Sequence, residues 1–280
     1  MNLTSSLRYC CRPLLLTAVL MLFGSSSALG QSLTSLRFSF DDDHYIEAKA
    51  FLSDSAKIQT TLVMLHGTPG SWQAFSTYLS DQRLRNKVNI IAVNRVGFGE
   101  ADKGELVLGL PAQAKTIEPV LQFARKRGKV LLLGHSLGGS IAAQVAADYK
   151  DLIDGVVLVA ATIDPKYGAP RWYNRVANSA LLRWLIPKTM RMANDEIIPL
   201  QTDLEKLAPR LSQLVLPVSI IQGDKDYLVS PKNAASAEAL LSNAELSVQR
   251  FEEEGHFILW ENQTAVIDEI LRLTDQLELK

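Results

Sequence analysis

The chain reads as an α/β protein, with a mostly parallel central sheet flanked by helices. Three observations predict that class. Residues 61–65, 88–93, 130–133, 156–160 and 218–221 are short, nearly continuous apolar runs, as expected of strands buried on both faces. Helix-like stretches fall between most of them, as crossovers between parallel strands require. The chain has 280 residues, 47% of them hydrophobic, which is enough for one sizeable core.

The first 30 residues precede this pattern. Arg8 and Arg12 lead into an apolar core at 14–23, and small residues ending in Ala28 and Gly30 follow. Charge, apolar core and small residues in that order make 1–30 a cleaved signal peptide, leaving 31–280 as the mature domain with a periplasmic or secreted destination. The apolar core is shorter than the roughly 20 residues that cross a bilayer. Membrane contact is expected only through this segment, and only if it stays uncleaved. Cys10 and Cys11 are the two cysteines and both lie inside it. The mature domain then has no disulfide, no thiol nucleophile and no thiolate metal site. Formal charge is −1, or −3 once Arg8 and Arg12 are removed. Neither value suits a nucleic-acid partner, and no basic stripe stands out.

The elements follow in order. Residues 36–40 and 45–52 form an opening hairpin around Asp41, Asp42 and Asp43. Helices are expected at 71–83, 112–126, 137–148, 231–241 and 264–277, with Pro119 kinking or breaking the second. The more polar run 246–251 suits an edge strand. Between 161 and 216 there is no strand-like run. Apolar residues recur there at roughly helical spacing, punctuated by five prolines, and 162–215 is expected to be a helical lid over the carboxyl ends of the strands.

Gly134-His135-Ser136-Leu137-Gly138 joins an apolar strand to a helix of small residues. A strand that turns sharply into a helix at a serine pushes the hydroxyl out at the top of the sheet, as in a nucleophile elbow. A serine hydroxyl needs a base, and the base needs an orienting carboxylate. Of His44, His66, His135 and His256, only His256 follows Ser136, so a Ser–acid–His order makes it the base. Asp226, beyond Gly223, is the preferred acid because the turn needs two residues to come round. Asp224 and Asp164 are the other candidates, with Asp224 favoured as a turn former. The backbone N–H groups of Thr68, in His66-Gly67-Thr68-Pro69-Gly70-Ser71, and of Leu137 are expected to hold an oxyanion. His66 is expected to bond its own loop, His135 to pack beside the elbow, and His44 to lie at the surface. Trp172, Tyr173 and Trp184 are candidates for an apolar acyl pocket.

These pieces, with Asn94-Arg95-Val96-Gly97-Phe98-Gly99, Gly223-Asp224-Lys225-Asp226 and Gly255-His256-Phe257, resemble the α/β-hydrolase fold family of esterases, lipases and related enzymes. The resemblance spans nearly all of the chain after residue 30. It supports Asp226 as the acid and a lid in the strandless stretch. Asn94 stands where the family often has Asp, and Glu100 where it often has Ser. Ser136 departs from the epoxide-hydrolase and dehalogenase branches, which carry Asp at the nucleophile position. The resemblance implies a serine hydrolase of a carboxylic ester or related acyl bond, acting on a small-molecule acyl substrate with no metal or organic cofactor. The alternatives are an amide, lactone or carbon–carbon substrate, or a non-catalytic ligand-binding relative.

Overall fold

The computed structural model describes residues 32–41, 44–99, 105–179 and 182–279. The 1–30 segment expected to be a signal peptide, with Cys10 and Cys11, lies outside the described residues, as do Asp42, Asp43 and Glu100. Eight strands form one sheet: β1 Thr34–Ser39, β2 Tyr45–Phe51, β3 Thr60–Leu65, β4 Asn89–Asn94, β5 Lys129–His135, β6 Gly155–Val159, β7 Pro217–Gly223 and β8 Glu245–Phe251. Their order is β1-β2-β4-β3-β5-β6-β7-β8. The pairs β1–β2 and β2–β4 are antiparallel, and all the others are parallel. The opening hairpin and the polar edge strand β8 fall where the sequence puts them.

The helices are α1 Ser76–Ser80, α2 Gln82–Arg85, α3 Leu110–Arg125, α4 Leu137–Asp148, α5 Trp172–Ala177, α6 Lys188–Ile197, α7 Leu200–Leu211, α8 Lys232–Leu240, α9 Ile258–Glu261 and α10 Gln263–Glu278. Alternate residues of each central strand feed opposite faces of the sheet. Val63, Leu65, Val130, Leu132, Val156 and Leu158 pack with α3, α4 and α7. Leu62, Met64, Leu131, Leu133, Val157 and Val159 pack with α1, α2 and α10. Both faces are therefore sealed, which is why these strands read as unbroken apolar runs.

Two local expectations are corrected. The helix expected at 71–83 is a 3₁₀ turn at Trp72–Phe75 followed by α1 and α2. Asp81 interrupts it: its backbone is extended, and its carboxylate accepts the Leu84 N–H at 3.0 Å to cap α2. Pro119 does not break α3, which runs through it. The carbonyl that Pro119 leaves without a donor belongs to exposed Lys115, where water can bond it.

The stretch between β6 and β7 divides in two. Helix α7 buries Leu200, Leu204, Leu207 and Leu211 in the same core as α4, so it is a packed layer rather than a cover. Helix α5 has no buried residue, and α6 buries only Ala193, Asn194 and Glu196.

Candidate active site

The strand order reverses direction about β3, with β4 on one side and β5 on the other. Crevices open at the carboxyl ends of strands at such a switch point. The loops after β3, β5, β7 and β8 meet there.

Ser136 links β5 to α4 with φ 55° and ψ −124°, a conformation strained for a residue with a Cβ. Close packing imposes it. A Cβ on Gly134 would lie 2.2 Å from the Gly138 carbonyl oxygen, and one on Gly138 would lie 2.3 Å from that of Leu65. Only glycines let β3, β5 and α4 approach this closely. Ser136 thus stands at the N-terminus of α4, where the helix field favours negative charge.

His256 follows β8 and reaches over the sheet. Its Nε2 lies 3.1 Å from Ser136 Oγ, and its Nδ1 lies 2.8 Å from Asp226 Oδ2. The carboxylate can only accept, so Nδ1 donates and Nε2 is left to accept the serine proton. Asp226 is itself held. Its Oδ1 accepts the N–H groups of Leu228 and Val229 at 2.9 and 2.8 Å, and its Oδ2 accepts Gln222 Nε2 at 3.2 Å. Asp226 and His256 are both buried. Asp224 stands in a turn as expected, but its carboxylate is neither left to solvent nor bonded to backbone. It accepts Arg250 Nε at 2.9 Å, away from His256. Asp164 accepts the Lys166 N–H and caps a 3₁₀ turn. Among the described residues, the N–H groups of Thr68 and Leu137 have no acceptor, and both residues line the cavity above Ser136.

The other histidines are structural. His135 is buried, with its ring 5.0 Å from that of His256 and 4.9 Å from Trp260. Its Nε2 donates to the His256 carbonyl at 3.1 Å. Burial, then the neighbouring His256, pushes its pKa down to about 3, so it stays neutral. His66 bonds its own loop through Nδ1 and Gly67 O at 2.7 Å, and its Nε2 accepts the Arg95 N–H at 3.1 Å. Burial and the Arg95 charge hold its pKa well below the ordinary value. His44 sits at the surface against Asp41 and Glu105.

Arg95, directly after β4, organises the loop that carries Thr68. It donates to His66 O at 3.0 Å, Gly67 O at 2.9 Å and Gln113 Oε1 at 2.5 Å. Its guanidinium also pairs with Glu196 of α6, and both side chains are fully enclosed. Sequence reasoning quoted Arg95 within a motif but missed this pairing, along with the supporting roles of Gln222 and Trp260. Glu196 carries no local sign of its partner. The one hint was an acidic residue beside otherwise apolar helical positions.

The crevice opens into a cavity of about 890 Å³. The pocket expected from Trp172, Tyr173 and Trp184 is corrected. Tyr173 lines the cavity, whereas Trp172 and Trp184 do not and are 75% and 71% exposed. Phe257, which caps α9, and Trp260 within α9 supply the aromatic wall instead, with Ile186, Met190 and Ile197. Among the described residues, Arg171 is the one Asp, Glu, Lys or Arg side chain on that wall. Its Nη2 is engaged by the carbonyls of Tyr227 and Leu228. Among the described residues, no three His, Cys, Asp or Glu side chains converge as a metal site would require.

A parallel sheet with a serine, a histidine and a carboxylate in line at its carboxyl edge defines a hydrolase-type architecture. Residues 62–269 match the model of the alpha/beta hydrolase family, and the chain belongs to that family. It is 23% identical over 242 residues to an uncharacterized protein of Mycobacterium bovis, covering 70% of each chain. It is 31% identical over 98 residues to 2-(acetamidomethylene)succinate hydrolase of Mesorhizobium japonicum, covering 35% of this chain and 34% of that one. A solved candidate aryl esterase from Burkholderia cenocepacia superposes with a TM-score of 0.69 at 18% identity, over 88% of this chain and all of that one. At that identity the likeness speaks for the fold.

Proposed function

We propose that this hydrolase cleaves a carboxylic ester by acyl transfer to Ser136. His256 takes the hydroxyl proton as Oγ attacks the carbonyl carbon, then returns it to the leaving oxygen. Asp226 fixes the imidazole tautomer and stabilises the imidazolium. The Thr68 and Leu137 N–H groups hold the tetrahedral oxyanion, each worth about 2.7–4 kcal/mol of barrier in comparable sites. Water activated by His256 then releases the acid. The observation that carries the reading is the unbroken line from Ser136 Oγ to His256 Nε2 at 3.1 Å and from His256 Nδ1 to Asp226 at 2.8 Å.

An uncharged acyl group is favoured over a dicarboxylate such as the 2-(acetamidomethylene)succinate in the name of the Mesorhizobium japonicum enzyme. The cavity wall is mainly apolar, and its one arginine is already bonded to two carbonyls. A fluorophosphonate probe tests the chemistry. It is expected to label the wild type and not Ser136→Ala. An unlabelled wild type would sink the proposal. A graded series of p-nitrophenyl esters then tests the substrate. Absent turnover across that series, in a protein that labels, points to an amide, lactone or carbon–carbon bond instead.

A further inference from the structure

The segment between β6 and β7 exposes more apolar surface than its packing accounts for. Trp172 and Trp184 are the most exposed aromatics among the described residues, and Val176, Leu185 and Met190 accompany them in the same segment. Helices α5 and α6 are bound to each other through Asn174 Nδ2 and Asn194 Oδ1 at 2.8 Å, so these residues belong to one body. Scattered single apolar residues on a surface need no explanation, but five on two joined helices and the turn between them ask for one.

The charge of the same stretch is one-sided. Between Asp164 and Asp195 lie Lys166, Arg171, Arg175, Arg183, Lys188 and Arg191, with no Asp or Glu, in a chain whose formal charge is −1. Arg183 is neutralised by Asp195 at 2.6 Å. Among the described residues, Arg175 and Lys188 have no carboxylate partner. Tryptophan, leucine and methionine mixed with unpaired cations is the composition of a surface that seats in the headgroup region of an anionic bilayer. The patch also adjoins the cavity mouth: Tyr173 and Met190 line the cavity and are themselves exposed.

We infer that α5, α6 and the turn Arg183–Leu185 between them form a docking face for an anionic phospholipid surface. Trp172, Trp184 and Leu185 enter the interface, and Arg175 and Lys188 meet the headgroups. A second copy of the chain fits this face less well, because a two-fold contact pairs the face with itself and residues 165–194 bring no carboxylate to meet its cations. The docking stands on the surface alone. Its consequence, that a lipid-held acyl group reaches Ser136 without crossing bulk water, rests on the hydrolase reading.

The test is flotation of the domain 31–280, free of the apolar 14–23 segment, with vesicles of phosphatidylglycerol and phosphatidylcholine in equal parts, and with pure phosphatidylcholine. Wild type is compared with Trp172→Ser/Trp184→Ser and with Arg175→Glu/Lys188→Glu. Both double variants are expected to lower partitioning onto the anionic vesicles about tenfold or more. The charge reversal is also expected to abolish the preference for the anionic vesicles. Unchanged thermal midpoints show that the variants fold, whether or not the protein turns over any ester. Equal flotation of all three proteins overturns the proposal, because another part of the chain then does the binding. Failure of the wild type to float overturns it too. So does a wild-type dimer in solution that the tryptophan pair abolishes, which assigns the face to a second copy.

Discussion

The floor and the roof of the crevice are built on opposite principles. The floor consists of Ser136, His256 and Asp226 at the ends of strands whose side chains are sealed on both faces. The histidine and the carboxylate there are each held by partners that fix their direction, down to the two N–H groups on Asp226. The roof consists of α5 and α6, which bury little and meet the floor through a few polar contacts. The principal one is the enclosed pair of Arg95 and Glu196. Rigidity at the floor keeps the reacting atoms in line. A lightly packed roof leaves room for chemistry to vary above them, as loops on a fixed scaffold do.

That contrast can be broken or sharpened by experiment. The largest effect belongs to the floor. Ser136→Ala is expected to lower turnover about 10⁶-fold, and Asp226→Asn about 10⁴-fold. Their thermal midpoints should stay near wild type, as steady-state kinetics beside calorimetry would show. Full activity in Asp226→Asn would remove the residue from its proposed role.

Next comes the joint between floor and roof. Glu196→Gln leaves Arg95 enclosed without its counter-charge and is expected to cost about 3–5 kcal/mol in urea unfolding. If the loss is under about 1 kcal/mol, water reaches Arg95 and the roof is looser than its contacts imply. A pair of truncations measures the packing difference directly. Leu132→Ala, in the sealed sheet, is expected to cost about 3 kcal/mol. Trp184→Ala, at 71% exposed, should change stability by less than about 0.5 kcal/mol.

The mildest test of the floor itself is its acid sensitivity. His135 and His66 have folded pKa values below their unfolded ones, so the unfolded chain binds the protons that the fold excludes. Their contribution is fully present above an unfolded pKa of about 6.5 and fades as pH falls toward the folded values, to about 3 for His135. Between pH 7 and 5.5 His135 is expected to cost about 1 kcal/mol of stability, with His66 acting in the same direction, read by urea midpoints at each pH. His135→Asn should flatten that slope, and an unchanged slope would show that His135 is charged in the fold.

The legible parts of the chain were those with a local physical cause. Residues 61–65 and 130–133 announce buried strands because both of their faces are covered. Gly134 and Gly138 announce a tight turn because nothing larger fits. The order of Ser136, Asp226 and His256 left one histidine free to join them. The illegible parts had causes distant in sequence. Asp81 divides a helix by bonding a backbone group that the apolar pattern does not register. Trp172 and Trp184 looked like pocket residues because aromatics are usually buried, yet their direction depends on how α5 and the following turn lie.

The sequence by itself determined the fold class, the serine turn and the short list of partners for it, since each follows from the covalent and steric character of neighbouring residues. Only the tertiary structure decided which aspartate faces His256, that Phe257 and Trp260 rather than Trp172 and Trp184 wall the cavity, and that Arg95 meets Glu196. Those are contacts between residues 30 to 120 positions apart. They exist because the sheet brings the strand ends into one crevice, and no periodicity along the chain encodes which side chains then touch.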